Sequence, residues 1–476
     1  MFRKLSKKLE NWKIRERRHP LILRGARQVG KTYLVREFAK RNFSHYIELN
    51  FEQDGTLSSL FASKNPGTIC ELLLAKFSTP IEDGKTLVFL DELQAAEPCV
   101  LESLRYFGEQ RAGLHVIAAG SLLEFLLEPP DNGRVPRFPM PVGRIEYMYV
   151  PPMDFEEFLL ALGKSGLVKW LQGYRLGDDV PDALDCELQD LLRRYLAVGG
   201  MPAVVDSYAK GDIAQAEREQ QMLISTYHDD FPKYSARVPA ERLRKVFSSV
   251  PTLLGGKLIY SRIDPGEKSN NLSSAFDLLR LARVVAKVRH VPANGIPVGN
   301  GADERTFKPL FLDVGLVGRI LGLKLSDFLH EGDALLSNLG SVCEQFVGQH
   351  LLYAGEEYEE PAAYCWIREN RGSSAEVDYI VQSGTRIVPI EVKGGTTGSL
   401  KGLHVFLAEK KCDFAVRFNA DKPSFLPDAH AKDALGRTCD YRFLSLPLYM
   451  VCQLGRHIGD ALTESCPTVR PHEAQF

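Results

Sequence analysis

The chain has 476 residues, 44% of them hydrophobic and 25% charged, and its 59 Lys+Arg against 61 Asp+Glu give a formal net charge of -2. That length exceeds what one hydrophobic core organises, so two or three domains are expected, and the ordinary composition excludes disordered, collagenous and solenoid architectures. Near-neutral charge makes no general case for nucleic-acid or membrane binding, so any such surface has to be local. The nine cysteines form no Cys-x-x-Cys pair, which argues against a zinc or disulfide framework and for a reducing compartment. No apolar run approaches the roughly 18 residues of a membrane span and the start lacks a signal-peptide core, so a cytoplasmic protein without a membrane partner is expected.

The first local charge excess comes at the amino terminus, where Arg3, Lys4, Lys7, Lys8 and Lys13 alternate with Leu5, Leu9 and Trp12 at helical spacing. It reads as a basic amphipathic helix, either a solvated face or a surface for phosphate or lipid.

Residues 20–24, Pro-Leu-Ile-Leu-Arg, form a short apolar strand that runs into Gly25-Ala26-Arg27-Gln28-Val29-Gly30-Lys31-Thr32. This string satisfies every fixed position of G-x-x-x-x-G-K-[ST], and the apolar stripe of Leu34, Phe38 and Ala39 predicts a helix directly after it. Glycines without Cβ let the main chain wrap phosphates, and the helix start aims free N–H groups at them. Lys31 is expected on the β- and γ-phosphates of ATP, and the Thr32 hydroxyl on Mg²⁺.

Residues 86–92, Thr-Leu-Val-Phe-Leu-Asp-Glu, read as a buried parallel strand ending in two carboxylates. Asp91 is expected to hold the Mg²⁺ water shell and Glu92 to activate the attacking water. A third apolar strand, 115–119, ends at Gly120-Ser121, where Ser121 is a candidate γ-phosphate sensor or the N-cap of a following helix. Residues 44–50 and 144–150 complete five strands with the alternation of a mostly parallel α/β sheet.

Taken with the string from Pro141-Val142-Gly143-Arg144 to Pro152-Met153-Asp154-Phe155-Glu156-Glu157-Phe158, these motifs resemble the AAA+ superfamily. More narrowly, they resemble prokaryotic ATPases that join an AAA domain to a carboxy-terminal domain of unknown function. The resemblance implies that Arg144, or else Arg137 or Arg134, lies near a subunit boundary and acts on a neighbour's γ-phosphate, which requires a ring or other homo-oligomer. The bland alternative for Arg144 is a surface ion pair.

Between residues 182 and 209 apolar side chains return every three or four positions until Gly199, Gly200 and Pro202 break the pattern, as in a helical lid. Segments 243–254, 272–282 and 284–291 then read as helix, helix and strand, which suits a winged helix. Lys287, Arg289 and His290 are too few cations to establish DNA contact, and a packing adaptor is the other reading.

In the last third, Glu344 lies among apolar residues of a helix, Asp378 on an alternating strand, and Glu391 and Lys393 two apart on the next strand, so on one face. Helix, three strands, helix and strand in that order resemble the PD-(D/E)XK nuclease superfamily. The resemblance implies that Glu344, Asp378 and Glu391 gather metal while Lys393 positions water. Either an active endonuclease or a relic that binds DNA or a partner fits this pattern.

The expected architecture is α/β: an AAA+ P-loop ATPase core over 1–165, a helical lid over 166–235, a winged-helix-like adaptor over 236–325 and a restriction-endonuclease-like domain over 326–476. Its expected function is ATP hydrolysis by an oligomer acting on double-stranded or branched DNA. The alternative is a slow ATPase switch in signalling or defence whose carboxy-terminal domain binds a protein partner.

Overall fold

The five apolar runs of the first third become β1 (Leu21–Arg24), β2 (His45–Asn50), β3 (Thr86–Asp91), β4 (His115–Ala119) and β5 (Glu146–Tyr149) of one sheet, in the order β2-β3-β4-β1-β5. Every neighbouring pair is parallel. Strands β3 and β4 are buried at every position, which is why they read as continuous apolar runs, whereas the edge strand β2 alternates. The computed structural model describes residues 2–120, 143–234, 238–325, 340–370, 373–396, 398–433 and 436–463. Ser121, Arg134 and Arg137 lie outside the described residues.

The chain divides into two compact units, one of Met1–Pro152 with Leu281–Val284 and Gly355–Pro361, the other of Met153–Arg280, Val285–Ala354 and Ala362–Phe476. In the first, helix Lys31–Asn42 buries Leu34, Val35 and Phe38. On another side of the sheet core, Ile22, Leu49, Val88, Leu90 and Val116 pack with Leu104 and Phe107. The basic amino-terminal run forms helix Leu5–Ile14, which buries Leu9 and Trp12. Its cations are partly structural: Arg3 is 3% exposed and donates to the Val29 and Pro151 carbonyls at 2.8 and 2.7 Å, while Lys8 pairs with Glu356 and Glu357.

The second unit opens with helices Phe155–Ala161, Ser165–Gly173, Asp182–Val198, Pro202–Ala209 and Ile213–Asp230. Gly199 leaves helix Asp182–Val198 at a φ of 77°, and Pro202 starts the next helix at its first turn, so the predicted break is a helix–helix turn. Behind the helices stands a mixed sheet of eight strands: β6 (Val285–His290), β7 (Asp303–Phe311), β8 (Ala363–Asn370), β9 (Ser373–Ser383), β10 (Arg386–Val392), β11 (Phe414–Asn419), β12 (Ser424–Lys432) and β13 (Thr438–Pro447). Their order is β12-β13-β11-β10-β9-β8-β6-β7.

Helix Gly340–Leu352, β8, β9, β10, helix Lys401–Lys410 and β11 follow in the expected succession. The winged-helix reading of 236–325 meets a different arrangement. Strand β6 pairs in parallel with β8 through Val288 and Ala363, and β7 closes the sheet edge antiparallel to β6, so both strands extend the large sheet. The reason is physical: an exposed strand edge offers unpaired N–H and C=O groups, and periodicity reveals a strand without revealing which edge it will complete.

Candidate functional site

The loop after β1 is shaped by its own backbone. A Cβ at Gly25 would collide with the Val150 carbonyl, and Gly30 stands before helix Lys31–Asn42 at a φ of 91° that a side chain would strain. Gln28 also takes a left-handed conformation, with φ 64°. From outside, the Arg3 guanidinium holds the Val29 carbonyl. The first turn of the helix leaves its N–H groups without partners inside the helix, at the positive end of the helix dipole.

Lys31 is 8% exposed, and its Nζ donates to the Gly25 and Ala26 carbonyls at 2.8 and 2.7 Å. Beside it the Thr32 hydroxyl donates to Asp91 at 3.1 Å (Oδ2) and 3.3 Å (Oδ1). This bond joins the loop to the end of β3, although β4 separates β1 from β3 in the sheet. Asp91 is 4% exposed. Burial, aided by the charge of Glu92, pushes its carboxyl up to about 6 against the pull of the Thr32 hydrogen bond.

Glu92 follows in a left-handed conformation, φ 52°, a cost that non-glycine residues bear mainly where surrounding structure enforces it. Its carboxylate accepts from the Gln94 amide, a contact that the sequence reading missed. The residues fit magnesium-bound ATP. Gly25 and Gly30 leave the loop open to close approach, Lys31 supplies a cation, and Thr32 with Asp91 offers the hard oxygen set that magnesium takes. Arg144 is paired, its Nε donating to Glu109 Oε1 at 2.7 Å on a side chain 48% exposed.

In the second unit the nuclease-like residues meet a partner that sequence reasoning overlooked. Lys308 of β7 is 1% exposed, and its Nζ lies 2.8 Å from Glu344 Oε1 and 3.0 Å from Asp378 Oδ1, with Glu376 bound as well. Asp378 also accepts the Val392 N–H at 2.9 Å. Glu391 pairs with Lys393 at 2.6 Å, as their shared face predicted. Burial and the charge of Asp378 push both Glu344 and Glu391 upward. For Lys308 burial alone acts downward, and the three carboxylates outweigh it, holding the ammonium well above its usual range. Its signal in the sequence was a lone cation inside the apolar string Phe307-Lys308-Pro309-Leu310-Phe311. Glu376, two residues before Asp378 on one strand face, had a comparable signal.

The glycine-bearing loop, the acidic strand end and the parallel sheet that carries both have the form of a P-loop site. Residues 17–159 match the family model of an AAA domain. Residues 189–327 and 339–423 match two domains of unknown function, DUF8612 and DUF4143. No curated protein matches the chain.

Among solved structures, the Walker-type ATPase PABY2304 of Pyrococcus abyssi is 17% identical, with 67% of this chain and 95% of that one covered and a TM-score of 0.41. The Holliday junction branch migration motor RuvB of Thermotoga maritima is 15% identical over 61% of this chain and 88% of its own, TM-score 0.27. ORC1 of Aeropyrum pernix, solved in complex with DNA, is 15% identical over 71% and 92%, TM-score 0.25. Scores this low transfer neither ligand nor assembly to this chain. The described residues contain no helix long and apolar enough to cross a membrane.

Proposed function

We propose that this protein binds magnesium-bound ATP at residues 25–32 and hydrolyses it with Glu92 as the base. The Thr32–Asp91 hydrogen bond carries the reading, because it makes one site of the loop after β1 and the carboxylates after β3. Lys31 exchanges its two loop carbonyls for β- and γ-phosphate oxygens, and the helix amino terminus receives the rest of the chain of phosphates. Magnesium, when bound, would supply charge neutralisation across the phosphates. Thr32 and Asp91 are the residues that would hold it. Glu92, released from Gln94, orients the attacking water and accepts its proton. Ser121 is proposed as the γ-phosphate sensor. Calorimetry on nucleotide-free protein in magnesium buffer tests the whole scheme: ATP binding that Lys31→Ala abolishes is expected, and wild-type protein without affinity for ATP overturns it.

Beyond hydrolysis, the AAA domain supports a ring or other oligomer that acts on duplex or branched DNA. In such an assembly Arg144 leaves Glu109 to reach a neighbouring phosphate. A slow switch that recruits a protein partner through its carboxy-terminal sheet is the second reading. Lys308 favours it, since a cluster whose centre is already occupied by an ammonium group is not laid out for metal-dependent cleavage. Stimulation of turnover by junction or duplex DNA, lost in Lys31→Ala, selects the first reading, whereas stimulation by protein alone selects the second.

A further inference from the structure

Three elements converge on the Lys308 ammonium: β7 brings the lysine, helix Gly340–Leu352 brings Glu344, and β9 brings Glu376 and Asp378. One oxygen from each carboxylate lies within 4.8 Å of the others. A single ion with oxygen ligands at about 2.0–2.6 Å spans that separation, so the three acids have the dimensions of a divalent-cation site. A cation of this chain already fills it. A second observation points the same way. Glu391 is 7% exposed, and while one of its oxygens binds Lys393, Oε2 is buried without any donor. Glu391 stands on β10, whose Val392 N–H holds Asp378. Four carboxylates thus face two ammonium groups, Lys308 and Lys393, and a buried acceptor is left over. Solvent reaches the cluster at Glu376, whose side chain is 37% exposed.

We propose that Lys308 is the resident cation of a latent divalent-metal site: its ammonium fills the place among Glu344, Glu376 and Asp378 where an ion would sit, so the native chain takes no metal there and loss of Lys308 opens the site. A buried ion pair stripped of one partner leaves uncompensated charge. An incoming divalent cation answers that charge with the ligand oxygens already gathered. The inference is independent of ATP hydrolysis.

The test titrates Mn²⁺ into full-length protein by calorimetry and by loss of the free-ion spin-resonance signal. Every chain carries Asp91→Asn, which removes the nucleotide site's own affinity for metal. With Lys308 in place no Mn²⁺ binding is expected in the cluster. Adding Lys308→Met is expected to yield one bound Mn²⁺ per chain, and a further Asp378→Asn to weaken it at least about tenfold. Lys308→Met with Glu376→Gln removes one charge of each sign, guards against misfolding, and keeps two of the three ligands, Glu344 and Asp378, so weaker Mn²⁺ binding is expected. Mn²⁺ binding by the Lys308 chain that Asp378→Asn abolishes overturns the proposal. So does a folded Lys308→Met chain that binds no Mn²⁺ or, where that chain does not fold, a folded Lys308→Met/Glu376→Gln chain without even weak binding.

Discussion

Lys31 and Lys308 are both buried, at 8% and 1% exposure, yet they are held by opposite kinds of partner. The first donates to two backbone carbonyls of its own loop, the second to three carboxylates from a helix and a strand. An anionic oxygen adds ion–ion attraction to an ammonium group that a neutral carbonyl lacks. An ammonium on carbonyl dipoles therefore gains when a triphosphate arrives, while one surrounded by carboxylates has nothing to gain by moving. In the proposed roles, Lys31 awaits a ligand and Lys308 stands in for one. The difference teaches that a lysine beside acids at a nuclease-like position is no sign of catalysis until its partners are counted.

The largest effect expected is on turnover. Glu92→Gln should lower the ATPase rate by about 100- to 10,000-fold while ATP binding persists, as steady-state phosphate release and nucleotide titration will show. A variant with normal turnover would move the base elsewhere and weaken the contrast. Lys31→Ala should cost on the order of 100-fold or more in rate, as expected for a preorganised charge aimed at the transition state, and should barely change the urea midpoint.

Lys308→Met has the reverse profile. It should destabilise the metal-free protein by about 3–5 kcal/mol, the usual cost of stripping one partner from a buried ion pair, read from urea unfolding, while ATP turnover stays close to wild type. A neutral outcome would mean that the carboxylates tolerate the loss by taking up protons.

Asp313 sharpens the comparison, being a buried carboxylate held by N–H groups. Fully buried, it accepts from the N–H groups of Gly200, Gly315 and Leu316 at 2.6, 3.0 and 3.2 Å. Asp313→Ala should cost about 3 kcal/mol, because three backbone donors lose a charged acceptor. Burial still pushes its carboxyl up to about 6, against the pull of those three bonds. The folded state therefore binds the proton more tightly than the unfolded chain. Its contribution is fully present below about pH 4 and is lost as pH rises through about 6. The stability difference between wild type and Asp313→Asn, followed by urea titration from pH 4 to 7, should show that slope.

Arg144 provides the smallest effect. Its exposed pair with Glu109 is worth no more than about 1 kcal/mol, so Arg144→Ala should leave the melting temperature almost unchanged. A large fall in turnover at high protein concentration would then belong to a neighbour's site and support the ring.

The proposed nucleotide site could be read from the sequence because its parts are local. The loop string Gly25 to Thr32, the helix that follows it and the apolar run ending in Asp91-Glu92 each occupy contiguous residues whose spacing carries the chemistry. Glu344, Asp378, Glu391 and Lys393 were likewise readable as residues on helix and strand faces, and Glu391 does meet Lys393. Tertiary structure alone decided what stands among them. Lys308 reaches the cluster only because β6 adds to β8 and carries β7 to the sheet edge. Arg3 reaches the Val29 carbonyl across 26 positions of sequence, and 355–361 joins the first unit from far along the chain. Periodicity tells a side chain which face to take, but a strand's partner is chosen by edges and buried charge brought together from distant segments.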